Sequence, residues 1–79
     1  MALNSELKIA IYHSKLSNRE LAERVGITPP NMSNIVNGAI PRLRTAQLIV
    51  RELNKVLPED KQVSIDYLWP LPEDERVKK

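Results

Sequence analysis

The chain has 79 residues, 42% of them hydrophobic and 28% charged, with a formal net charge of +2. So short a chain builds one core, and burying only about 60% of its unfolded surface leaves it a thin stability margin. The absence of cysteine excludes disulfides and thiolate metal sites, and a single histidine, His13, excludes His-rich metal clusters and most catalytic triads. No apolar run approaches the roughly 20 residues a bilayer crossing needs. The opening stretch Met1–Glu6 has neither a basic leader nor a long apolar run. The expected location is therefore cytoplasmic, with no membrane partner.

The charge is unevenly spread. Residues 1–57 hold Lys8, Lys15, Arg19, Arg24, Arg42, Arg44, Arg51 and Lys55 against Glu6, Glu20, Glu23 and Glu52, while residues 58–79 hold more acidic than basic groups. Such an asymmetry is compatible with one basic face. It is also compatible with charges scattered over a solvated surface.

Taken in chain order, Leu7, Ala10 and Ile11, with Leu3 one turn earlier, recur at helical spacing and predict a helix from about Ser5 to Ser14. Ser17 stands three residues before Glu20, a capping box that opens a second helix. Leu21, Ala22 and Val25 face inward on it, and Gly26 ends it in a left-handed conformation. Thr28 caps a third helix that starts at Pro29, where a missing amide costs nothing. Met32, Ile35 and Val36 form its apolar side, and Asn37-Gly38 closes it. A fourth helix begins around Arg42 to Thr45 and keeps Ala46, Ile49, Val50, Leu53 and Leu57 inward until Pro58. Glu59–Gln62 is a connector, and Ser64 caps a short last helix containing Ile65 and Leu68. The expected fold is all-α: five short helices within residues 1–70, followed by a charged, frayed tail at 71–79.

Function is carried by the stretch from Asn18 to Ile35. Two helices crossing sharply over a turn of three or four residues demand a small residue under the crossing, a glycine at the corner and apolar side chains that lock both sides. Ala22, Gly26, and Leu21, Val25, Ile27, Met32 and Ile35 meet those demands in register. No Gly-rich phosphate loop, no Gly-x-Ser-x-Gly elbow and no metal-ligand spacing is present, so neither an enzyme nor a cofactor is expected. Glu20 and Glu23 share a helix face, yet Glu20 is committed to the cap.

The run Leu16–Thr28, followed by Met32-Ser33-Asn34-Ile35 and Asn37-Gly38, resembles the lambda-repressor-like, Cro-like (XRE) DNA-binding domains. The resemblance spans about residues 5–69. It implies a compact five-helix fold, binding to double-stranded operator DNA, and homodimers on palindromic sites. Asn18 falls where the family commonly has a phosphate-holding glutamine, one methylene longer. The segment from Pro29 to Asn34 falls on the start of the recognition helix, which lies in the major groove, with Asn31, Ser33 and Asn34 as hydrogen-bonding candidates. Pro29-Pro30 departs from the family, whose members often carry polar side chains there. Their rings either pack against thymine methyls or serve only to start the helix, and in the second case base readout rests mainly on Asn31 and Asn34 together with DNA shape.

Phosphate contacts are expected from the backbone amides of Asn37, Gly38 and Ala39, from Arg42 and Arg44, and from Arg19 and Lys15. Arg51 and Lys55 read as solvated. Ile9 and Tyr12 point away from the Leu7 stripe, either as isolated exposed residues or as part of a partner surface. Trp69 either closes the small core or joins a dimer contact through the C-terminal segment, and His13 reads as an ordinary surface or boundary histidine. The resulting expectation is a short phage-type repressor. Its rivals are an antitoxin that also binds a small partner protein, and a protein-interaction module that has lost DNA binding.

Overall fold

Caps written into the sequence set nearly every helix boundary. The computed structural model describes residues 3–70 and contains α1 (Ser5–Ser14), α2 (Asn18–Val25), α3 (Pro29–Val36), α4 (Leu43–Val56), a 3-10 turn at Glu59–Lys61, and α5 (Ile65–Leu68). All regular elements among the described residues are helical, as the periodicity predicts. The tail expected at 71–79 lies outside the described residues.

Asn4 opens α1 by accepting from the Leu7 amide at 3.0 Å. Ser17 and Glu20 form the reciprocal capping box of α2 at 3.0 and 2.9 Å. Thr28 and Ser64 accept from Asn31 and Tyr67, at 3.3 and 3.2 Å. Each cap satisfies an amide that has no acceptor inside its own helix.

Thirteen buried residues unite the five helices in one core, in which Leu7, Leu21, Met32, Ile49 and Leu53 are completely enclosed. Trp69 packs against this core as expected for a closing residue, although its indole nitrogen is buried with no hydrogen-bond partner among the described residues. Leu3 departs from the predicted stripe: it is 44% exposed, because the chain turns at Asn4 and the helical periodicity starts after it. Val50 is likewise only half-buried.

Polar contacts tie the elements together. Asn54 on α4 clamps the connector, donating to the Val63 carbonyl and accepting from the Val63 amide, each at 2.9 Å. Asn4 reaches further: its amide donates to the Val36 carbonyl at the end of α3, and its Nδ2 donates to the Leu68 carbonyl of α5 at 2.8 Å. Glu52 on α4 meets Arg24 of α2 at 3.7 Å and Lys55 at 3.0 Å. The Lys55 hydrogen bond, with the charges of Lys55, Arg24 and Arg51, holds the Glu52 carboxyl below its ordinary range. Lys55 is thus paired instead of merely solvated.

The corner between α2 and α3 sits at Gly26, whose φ is +90°. The amides of Gly26 and Ile27 both donate to the Ala22 carbonyl, at 2.8 and 3.0 Å. A Cβ at Gly26 would meet nothing within 4 Å, so the requirement for glycine is purely conformational. Gly26→Ala should therefore cost about 1–2 kcal/mol from the left-handed backbone alone, read as a lower urea midpoint with an unchanged m-value. An unchanged midpoint would remove the corner from the account.

Candidate nucleic-acid interface

The interface is built on the packing of α3 against α2, the most extensive helix–helix contact in the fold. Leu21, Ala22 and Val25 on one side and Met32, Ile35 and Val36 on the other are buried, and Ala22 is completely enclosed. With its inner face used up in this way, α3 turns Pro29, Pro30, Asn31, Asn34 and Asn37 to the surface, while Ser33 is half-buried. The two asparagines expected to read bases are therefore accessible from one side of one helix.

A shallow cleft beside α3 is lined by Asn31, Asn34, Ala39, Arg42 and Thr45, among others. The structure thus brings Arg42 next to the two asparagines. Arg44 diverges from it and borders a different hollow with Leu43, Gln47, Leu48 and Arg51. Two positions apart near a helix start, the two arginines cannot share a face. Arg51, read from the sequence as solvated, belongs with Arg44.

On the other flank, Asn18 and Arg19 occupy the first positions of α2, and both are exposed. Ser17 and Glu20 satisfy each other's amides, so the amides of Asn18 and Arg19 are the ones left without an intrahelical acceptor. Arg19 lies 3.9 Å from Glu23, a pair exposed enough to contribute little. Lys15 caps α1 with φ +65°, a conformation that favours glycine by about 1 kcal/mol or more. The chain keeps a cation there despite that cost.

The loop after α3 corrects one expectation. The amides of Asn37, Gly38 and Ala39 were to face a phosphate, yet they donate to the carbonyls of Ser33, Ile35 and Asn34 at 2.9, 3.1 and 2.9 Å. These bonds close the carboxyl end of α3, and each amide has one proton to give. From this loop, the exposed side chain of Asn37 is the remaining donor.

A donor site that the sequence reading missed lies a few residues on. Arg42 occupies the N-cap of α4 and makes no capping hydrogen bond. The amides of Leu43, Arg44 and Thr45 therefore have no acceptor in the helix, at the positive end of a 14-residue dipole. The absence of Ser, Thr, Asp or Asn at position 42 was the available signal. Such an end favours anions.

Among the described residues, no group of His, Asp or Glu side chains has a metal-binding arrangement, and no helix is long and apolar enough to cross a membrane. A family model described as helix-turn-helix matches residues 8–60, from within α1 to the 3-10 turn. No curated protein and no solved structure matches the chain.

Proposed function

Since the chain belongs to the helix-turn-helix family of Cro-like and lambda-repressor-like DNA-binding transcription regulators, we propose that it binds an operator as a homodimer and represses transcription, as a short phage-type repressor does, in the cytoplasm. The observation that carries this reading is the free outer side of α3, where Asn31 and Asn34 stand exposed beside Arg42. In this reading α3 enters the major groove. Asn31, Asn34 and the half-buried Ser33 then meet base edges, and asparagine suits adenine N6 and N7. The uncapped start of α4 with Arg42 and Arg44, the Asn37 side chain beside Gly38, and Asn18, Arg19 and Lys15 on the other flank hold phosphates.

Pairing of two copies is supported by apolar surface beside this face. Ile40 and Leu43 are 76% and 66% exposed. They border a hollow shared with Pro41, Ala46, Ile65 and Trp69. Covering these side chains in a two-fold dimer would bury them, and a dimer that reads two half-sites must hold its two α3 helices about one DNA turn apart.

Selection from random DNA followed by a salt titration tests the proposal. A regulator yields an enriched, two-fold-related sequence, and its log affinity falls by several units per log unit of salt. Near-zero binding at low salt would instead assign the fold to protein recognition. That second reading, a protein-interaction module that has lost DNA binding, is favoured by Ile9 and Tyr12, which lie 53% and 79% exposed on the outer face of α1. The same two residues would suit an antitoxin, which binds both DNA and a small partner protein.

A further inference from the structure

Two of the chain's six prolines, Pro29 and Pro30, are consecutive and occupy the first two positions of α3. Both are exposed, and neither belongs to the core, which α3 reaches through Met32, Ile35 and Val36. Starting the helix does not require both. Thr28 already caps it by accepting from Asn31, and one proline at the first position supplies the preset φ.

What the pair does change is the chemistry of the helix start. The first and second positions have no amide proton, and the third donates to Thr28 at 3.3 Å. The first turn of α3 therefore offers no spare backbone donor, whereas the starts of α2 and α4 do. A helix start of that kind has no backbone hydrogen bond to give a phosphate oxygen or a base acceptor. It can be pressed against an apolar group without stranding an amide, and stranding one is what makes such burial costly elsewhere.

The major groove contains one apolar group on its base edges, the C5-methyl of thymine. Taking α3 as the groove helix, as proposed above, we infer that Pro29 and Pro30 read thymine by packing their ring methylenes against that methyl. The neighbouring Asn31 is exposed and suited to adenine. The leading end of the helix then favours A·T pairs by two different routes, one apolar and one polar.

The test uses the full chain and the operator recovered by selection. Each thymine of a half-site is replaced in turn by deoxyuridine, which removes the methyl and nothing else. At one thymine per half-site the loss should weaken binding about fourfold, and about fifteenfold when both half-sites are changed. The same series is run on Pro29→Ala and Pro30→Ala, with helicity checked by circular dichroism. In at least one variant the deoxyuridine penalty should shrink below twofold, the signature of coupling between ring and methyl. The inference is overturned if every deoxyuridine substitution leaves the wild-type affinity within twofold, or if both variants keep the full penalty. A selection that enriches no sequence would defeat the groove reading itself, which separates the two failures.

Discussion

Met32→Ala should cost about 2–5 kcal/mol of stability and weaken DNA binding as the folded fraction falls on warming. Met32 is completely enclosed, and it is the only side chain of α3 for which that is true. Removing its thioether stem leaves a cavity in the core shared by the five helices. For a domain of this size the total stability is about 4–12 kcal/mol, so the loss is a large share of it. Thermal unfolding followed by circular dichroism should show a midpoint at least about 10 °C lower. Met32→Leu, which nearly conserves volume, should cost less than about 1.5 kcal/mol and keep binding. Equal midpoints for the alanine variant and the wild type would mean that α3 is not held by this contact.

Asn34→Ala and Arg42→Ala should separate specificity from affinity. Both residues line the same cleft, yet the proposed docking gives them different targets. Losing a bidentate contact to one base removes about 1–3 kcal/mol of discrimination at that position. The Asn34 variant should therefore tolerate all four bases at one operator position while retaining binding to mixed-sequence DNA. Losing a phosphate contact should weaken all sequences about equally and reduce the salt slope by about one. A competition assay over single-base operator variants distinguishes these outcomes. If the two variants behaved alike, the orientation of α3 in the groove would have to be redrawn.

Most of the helix pattern was legible because its signals are local. Ser17 with Glu20, Thr28 before Pro29, and Gly26 at the corner each act within four residues, and each appears where the spacing placed it. The inward residues of α2 and α3 were legible for the same reason. Leu3 was misread because periodicity alone cannot show that Asn4 ends the regular backbone. The amides of Asn37 to Ala39 were misassigned because the closing bonds of α3 depend on how the chain leaves the helix. The uncapped start of α4 was readable from Arg42, and so was the divergence of Arg42 from Arg44. What no local pattern carries is the bond from Asn4 to Leu68, which joins residues 64 apart in the chain.

That bond has a mechanical consequence. One asparagine near the amino end holds both the end of α3 and the last helix, the first through its backbone N–H and the second through its side-chain amide. A displacement where α5 ends can thus reach the end of α3 through this one residue as well as through the packed core. Were two copies to pair over the hollow at Ile65 and Trp69, as proposed, that pairing and the tilt of α3 would be coupled through Asn4, by its backbone on one side and its side chain on the other.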